Sequence, residues 1–522
     1  MHPDRPAEEQ LTHSSLSCYS CRSSKRRCDR TYPECRLCVR KQISCEYPAE
    51  RKDKSSSRSL VNNNVPQSTT TQASHASPET TLTPSSSLTA FDLDDDGLRA
   101  IRFLDPKLYY RLHLRPSYPR LTCLDHVMEL VGGVADITEI CALFFDTIHT
   151  WMPIISKLRF HQELPSRLTN KEKRYELYLL LLSMKLCCSR TSTAKTPLYD
   201  AVKRLQFDIE SSGITSLQSL QASILIAIYE IGHAIYPAAV LSVGRCSHYA
   251  ACLGIDSTAR PPASMSLPWI EVEEFCRTWW SIVILDRFLS LCDPQRHPVA
   301  QDPDANTFLP VDDAAWDSGT SQAADAVTIG TSSTSHLARY ARFAQAAHLL
   351  TQITTRVPRN YDETTQLRRT IIALVRLAEV EGSWKRWGFC TQMAVCFSGV
   401  LILENSWLSP GDHTERAPND SIGGLSAETV LALEAAFDMI TYFFIENNGW
   451  TCYRTSPFIS HFLYLAASMH ASFEHLSLRG PTNRLLALKQ ALRMVNDRWL
   501  AAGVYLSCLE GQAILRLAGE TA

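Results

Sequence analysis

The sequence predicts a mostly α-helical protein in three parts: a small module organised by cysteines, a disordered polar linker, and a large all-α helical domain. Three observations carry this. Six cysteines recur at fixed intervals near the N-terminus, and a stretch rich in Ser, Thr, Asn and Gln follows them with no aromatic residue between Tyr47 and Phe91. Beyond that, apolar residues recur at three- and four-residue intervals and β-hairpin signals are almost absent. The boundaries read as 1–17 for a flexible N-terminus, 18–47 for the module and 48–90 for the linker. The helical part divides into 91–330 and 331–522.

Cys18, Cys21, Cys28, Cys35, Cys38 and Cys45 follow Cys-x2-Cys-x6-Cys-x6-Cys-x2-Cys-x6-Cys, the second triplet repeating the first at an offset of 17 residues. A tetrahedral zinc takes four ligands, so a pair of zinc ions needs eight metal–sulfur bonds. Six thiolates reach eight only if two of them bridge both ions. The spacing therefore predicts one binuclear cluster holding two Zn²⁺, since two separate four-cysteine sites would need more cysteines. With no signal peptide in view, paired Cys-x2-Cys repeats favour metal over disulfides.

Between Cys21 and Cys28 lies Arg22-Ser-Ser-Lys25-Arg26-Arg27, a cationic insert on a metal-held scaffold. From Cys18 to Cys45, Arg22, Lys25, Arg26, Arg27, Arg30, Arg36, Arg40 and Lys41 stand against Asp29 and Glu34, a side-chain charge of +6. Six thiolates and two divalent cations lower this to about +4. The full chain is −2, so the remainder carries −8. Charge segregated in this way argues against a metal-storage knot and places a nucleic-acid surface, duplex DNA above all, at the N-terminus. The second half-repeat, Val39-Arg40-Lys41-Gln42-Ile43-Ser44, differs from the first. Its apolar residues are expected to pack against the first half, which would then face the base edges while Arg40 and Lys41 touch phosphate.

Residues 18–47, CYSCRSSKRRCDRTYPECRLCVRKQISCEY, resemble the DNA-binding module of the fungal Zn(2)-Cys(6) binuclear cluster transcription factors. The resemblance implies that a short helix after the second cysteine enters the major groove and that Lys25 contacts a CGG-type triplet. It also implies base and phosphate contacts from Arg22, Arg26 and Arg27, and bridging by Cys18 and Cys35. Ser24 departs from the pattern, because a basic residue is usual just before that lysine. Its absence removes base or phosphate contacts. Pro33 matches the loop proline between the halves.

The linker cannot bury enough apolar surface to offset its ordering entropy. Its basic start, Arg51-Lys52-Asp53-Lys54, suits phosphate contact or nuclear import. Leu60, Val61 and Val65 are too sparse for heptads, and Asn62-Asn63-Asn64 interrupts them. Dimerisation is left open.

In the helical part, Leu217, Leu220, Ile224, Ile228, Ile231 and Ile235 mark a helix that Pro237 interrupts, and a second apolar segment stops at Gly254. Pro268 and Glu271, Glu273 and Glu274 frame the start of another, running through Trp279, Trp280, Ile282 and Phe288. Segments 144–160, 225–255, 276–291 and 308–319 resemble the middle homology region of the same transcription factors. Asp286-Arg287 reads as a structural ion pair, His233 and His248 as packing or hydrogen-bonding residues, and Trp279-Trp280 as core. The other twelve cysteines read as small buried hydrophobes. The apolar stretch Leu177–Cys188 is too short to span a membrane.

The resemblance implies a nuclear, sequence-specific regulator of RNA polymerase II transcription acting at CGG-type promoter sites on double-stranded DNA. A pathway-specific activator of a metabolic or specialised-metabolite gene cluster follows from it. The helical domain would meet transcription coactivators or a small-molecule effector. A repressor or scaffold on the same module is the alternative. A terpenoid cyclase-like enzyme is remote: Phe91-Asp92-Leu93-Asp94-Asp95-Asp96 is the one acidic cluster worth testing, and it equally suits a helix start or an activation element.

Overall fold

The computed structural model describes residues 16–47 except 25, 32 and 42. It also describes 93–520 except 115, 120–123, 170–174, 262–266, 294, 335, 356–360, 382–390, 409–420, 423–424, 446–453 and 473–483. Lys25, the linker at 48–90, Phe91 and Asp92 lie outside the described residues. The chain divides into two compact units, Met1–Ala90 and Phe91–Ala522. The first carries two short helices, α1 (Tyr19–Ser23) and α2 (Arg36–Lys41).

The second unit is helical, as expected. Its first helix, α3 (Asp95–Leu104), starts where Asp94 accepts the Gly97 N–H at 2.8 Å. Asp95 accepts from the Ser117 N–H at 2.8 Å, and Asp96 pairs with Arg99 at 2.6 Å. Of the readings open for this acidic cluster, a helix start is what these contacts form.

There follow α4 (Pro106–Arg111), α5 (Leu124–Val131), α6 (Val134–Asp146), α7 (Lys157–Thr169) and α8 (Tyr175–Cys188). Thr196 accepts the Tyr199 N–H to open α9 (Pro197–Ser211), with proline at its first position. Ser216 does the same through Ser219 for α10 (Leu217–Gly232). Pro237 separates α10 from α11 (Ala238–Cys252), and beyond it Gly254 takes φ +75°, the left-handed conformation that ends helices. Pro268 precedes α12 (Trp269–Cys292).

The remaining helices are α13 (Asp313–Ser318), α14 (Arg339–Thr355), α15 (Tyr361–Glu381), α16 (Thr391–Leu408), α17 (Ala427–Ile445), α18 (Phe458–Ser472), α19 (Arg484–Asn496) and α20 (Ala501–Glu520). Among the described residues the only paired strands are Ser421–Ile422 and Leu425–Ser426, a two-residue hairpin.

The centre of the unit is built around α8 and α10, which are almost wholly buried and largely apolar. α10 packs between α8 and α11, and α12 lies against α14. A helix apolar all round belongs in a core or in a membrane. The fourteen residues of α8 are too few to span one, and no helix among the described residues is long and apolar enough to do so. One continuous buried cluster runs from Val127 to Leu509, so the C-terminal helices share the core of the middle ones. Trp499 joins them: it is fully buried, and a Cβ built on Gly232 would sit 2.2 Å from its ring. Gly232→Ala is therefore expected to cost about 1–3 kcal/mol by overpacking. Urea unfolding measures it, and an unchanged midpoint would show that Trp499 can move aside.

Charged residues inside this core are paired. Arg277, fully buried on α12, bonds Glu273 at 2.9 Å, Asp313 at 2.8 Å and the Val311 carbonyl at 2.7 Å, and lies over the Trp316 ring at 4.2 Å. Two turns on, Asp286 and Arg287 form the expected ion pair at 2.6 Å with both side chains fully buried. Asp286 also accepts from Arg296 at 2.6 Å and from the Val299 and Ala300 N–H groups at 2.8 Å. Arg287 reaches Asp302 at 2.6 Å and Thr351 at 2.9 Å. These two clusters tie α12 to the chain that leads to α14, α13 included.

Other expectations divide. Trp279 and Trp280 are core, and His233 is buried between Tyr229 and Trp499. His248 is exposed rather than packed, because it falls on the outer side of α11. Cys141, Cys187, Cys188, Cys246, Cys276 and Cys396 are buried. Cys292 is half-buried, and Cys252 and Cys508 are exposed, so the expectation fails for these. Cys123, Cys390 and Cys452 lie outside the described residues.

Candidate metal centre and nucleic-acid interface

The six cysteine sulfurs converge. Cys18, Cys21, Cys28 and Cys35 form one group, and Cys18, Cys35, Cys38 and Cys45 a second, each with its sulfurs within 4.8 Å of one another. Cys18 and Cys35 are common to both. The separation from Cys18 Sγ is 3.8 Å to Cys35, 3.7 Å to Cys38 and 3.8 Å to Cys28, and Cys21 Sγ lies 3.6 Å from Cys35. A disulfide would need about 2.05 Å. Zinc–sulfur bonds of about 2.3 Å give a tetrahedron edge of about 3.8 Å. The donor set therefore fits two zinc ions and does not fit disulfides.

Local backbone produces this geometry. Each Cys-x2-Cys pair sits on the first turn of a helix, which turns its two sulfurs to one side. The Arg22 N–H bonds the Cys18 carbonyl at 3.0 Å to open α1, and the Val39 N–H bonds the Cys35 carbonyl at 3.1 Å to open α2. Asp29 accepts the Arg36 N–H at 3.2 Å, tying the stretch after Cys28 to the start of α2. N–H groups also point at sulfur, from Cys35 to Cys45 at 3.2 Å and from Cys38 to Cys35 at 3.4 Å. The Tyr19 N–H bonds the Glu46 carbonyl at 2.8 Å and closes the module's two ends on each other.

Cys18, Cys35 and Cys38 are completely buried and Cys21 nearly so. Burial, with hydrogen bonds among the neighbouring thiols, pushes Cys21 up to about 12 and Cys38 higher still. A divalent cation among the sulfurs reverses that preference and holds them as thiolates.

The apolar residues of the second half do not pack as expected. Val39 is 56% exposed and Ile43 44% exposed. A module this small has the sulfur cluster for its interior and no apolar layer left to cover them. The described basic residues Arg22, Arg26, Arg27, Arg40 and Lys41 are all exposed. Arg22 is in the last turn of α1, and Arg40 and Lys41 are in that of α2. The first helix contains Cys21 rather than following it, so Arg26 and Arg27 stand on irregular chain past its end, where the Arg26 N–H reaches back to the Cys21 carbonyl at 2.9 Å. Sequence reasoning missed Tyr47, whose hydroxyl donates to the Thr31 carbonyl at 2.8 Å. The available signal was an aromatic residue two positions past the last cysteine.

Comparison with known proteins agrees with this geometry. Residues 16–54 match the fungal Zn(2)-Cys(6) binuclear cluster domain, which binds two zinc ions, and residues 142–421 match the fungal specific transcription factor domain. The chain belongs to the fungal Zn(2)-Cys(6) transcription factor family. It is 37% identical over 153 residues to transcription factor BOA15 of Botryotinia fuckeliana, covering 28% of this chain and 83% of that protein. It is 25% identical over 322 residues to the citrinin biosynthesis transcriptional activator mrl3 of Monascus ruber, covering 55% of this chain and 62% of mrl3. To the pigment biosynthesis transcriptional activator pigB of Monascus ruber it is 31% identical over 191 residues, 34% of each. The chain thus spans less than two thirds of these two Monascus proteins. No solved structure gives a significant match. The matches point to transcription factors and not to enzymes, and the family implies a nuclear location.

Proposed function

We propose that this protein is a sequence-specific DNA-binding activator of RNA polymerase II transcription that controls a metabolic or specialised-metabolite gene cluster. The observation that carries the reading is the pair of sulfur groups sharing Cys18 and Cys35, set in a module whose described basic residues face solvent. Cys18, Cys21, Cys28, Cys35, Cys38 and Cys45 would hold two zinc ions, with Cys18 and Cys35 bridging. The metal supplies the fixed interior that so short a chain cannot build from apolar side chains. The protein's own residues do the recognition. Arg22, Lys25, Arg26 and Arg27 meet base edges and phosphates of a CGG-type site, and Arg40 and Lys41 meet phosphate. The names of mrl3 and pigB support activation of a biosynthetic cluster. Under this reading the helical unit contacts coactivators or an effector.

The test is binding of the full-length protein to a CGG-containing duplex and to a scrambled one. Lys25→Ala is expected to weaken specific binding by about 1–3 kcal/mol and to change scrambled binding less. Equal loss on both duplexes would confine Lys25 to phosphate. Arg40→Ala should flatten the salt dependence by about one unit of slope.

A further inference from the structure

We propose that Ser24 is a phosphorylation site, where a serine kinase that reads basic side chains switches DNA binding off. The inference rests on the DNA-contact reading above and names how that surface is regulated. The hydroxyl groups of the module differ in access. Ser20 donates to the Ser44 carbonyl at 2.5 Å, and Thr31 is buried and donates to the Glu34 carbonyl at 3.1 Å. Ser17 is half-buried and has no basic residue within three positions. Ser44 is exposed, but Glu46 follows it closely and its nearest cation in sequence is Lys41. Ser24 is exposed at the C-terminal end of α1, where its N–H reaches the Ser20 carbonyl at 3.3 Å.

Ser24 also stands where charge decides binding. Among the described serines and threonines of the module it alone has basic residues on both sides within three positions, Arg22 before it and Lys25, Arg26 and Arg27 after. Arg22 belongs to the last turn of α1, and Arg26 and Arg27 lie past Ser24 on exposed irregular chain. A kinase with an acidic peptide groove selects such a setting by charge complementarity. In the transfer, Ser24 Oγ bonds to the γ-phosphorus of ATP as the bond to the ADP oxygen breaks, and the hydroxyl proton passes to a carboxylate of the kinase. The phosphate brings about −1.5 to −2 at pH 7, against a net charge of about +4 on the metallated module. It acts in two ways. It repels the phosphates of the duplex, and its oxygens draw the guanidinium groups of Arg22, Arg26 and Arg27 away from the DNA. Ser24 faces solvent while Cys18, Cys21, Cys35 and Cys38 are buried, so the zinc content should not change.

The experiment uses the full-length, zinc-loaded protein. It is incubated with ATP and the catalytic domain of a basic-directed kinase, protein kinase C, and the modified residues are located by peptide mass spectrometry. Phosphate is expected at Ser24, and Ser44→Ala should leave that signal in place. No phosphate at Ser24 would overturn the site. Protein carrying phosphoserine at position 24 alone, introduced during translation, is then compared with unmodified protein and with Ser24→Ala on the CGG-containing and scrambled duplexes. The phosphate should weaken binding to both duplexes by about 10²-fold and lower the salt slope by about two units. Two zinc ions should be retained, and Ser24→Ala should bind as the unmodified protein does. Equal affinity with and without the phosphate would overturn the switch. Loss of zinc on phosphorylation would overturn the electrostatic mechanism. An unmodified protein that holds two zinc ions and binds neither duplex would instead overturn the DNA-contact reading beneath it.

Discussion

Replacing Cys35 with serine in the full-length protein is expected to release both zinc ions and reduce binding at a specific DNA site to the non-specific level. That is a loss of about 10³-fold or more. Cys35 belongs to both sulfur groups, so its removal leaves each ion one thiolate short. Cys18→Ser should behave the same way. Cys28→Ser and Cys45→Ser each remove a sulfur from one group only and should leave one ion bound more firmly than the other. Metal analysis after gel filtration, with duplex binding on the same samples, separates the cases. One retained zinc in Cys35→Ser, or two lost in Cys28→Ser, would reassign the bridges. Acidification should act in the same direction. Metal-bound thiolates compete with protons, so zinc affinity and DNA binding fall as pH falls.

Asp286→Ala should destabilise the helical unit by about 3–5 kcal/mol, because it leaves a buried arginine without its neighbouring carboxylate. Burial already lowers the pKa of Arg287 despite Asp286 and Asp302 beside it, so its charged form is costly where it lies. Removing Asp286 also orphans the Val299 and Ala300 N–H groups and the inward contact of Arg296. Net stabilities of folded domains are about 5–15 kcal/mol, so the change takes a large share. Thermal or urea unfolding of the full-length variant reads it. Zinc content should stay at two, since the metal centre belongs to the other compact unit. A shift below about 1 kcal/mol would show that the segment around Ala300 is held by packing and not by this carboxylate. Replacing Asp286 and Arg287 together by Leu and Met should recover part of the loss, because an apolar pair of similar volume avoids the unpaired charge.

Much of the site is legible in the sequence. Cysteine spacing is a short-range code: two residues between ligands put both sulfurs on one helical turn, and six thiolates can satisfy two zinc ions only by sharing. The exposure of Arg22, Arg26, Arg27, Arg40 and Lys41 follows from charge. Val39 and Ile43 misled, because an apolar residue suggests burial only where there is a core to enter, and here the interior is sulfur. Tyr47 was passed over because its hydrogen bond to Thr31 reaches back sixteen residues, past the whole of α2.

By itself, the sequence determined the metal-binding spacing, the segregation of positive charge at the N-terminus, the helical periodicity of the large unit and the helix start at Pro268. Each depends on residues a few positions apart, where backbone geometry alone sets which side chains meet. The tertiary structure decided which helices lie at the centre and which buried charges answer one another. Arg277 finds Asp313 across 36 positions, Asp286 finds the Val299 and Ala300 amides, and Trp499 closes on Gly232. Those partners are chosen by the packing of whole helices. A buried charge must take whatever opposite charge or amide the packing brings within reach, and no local pattern announces which one that will be.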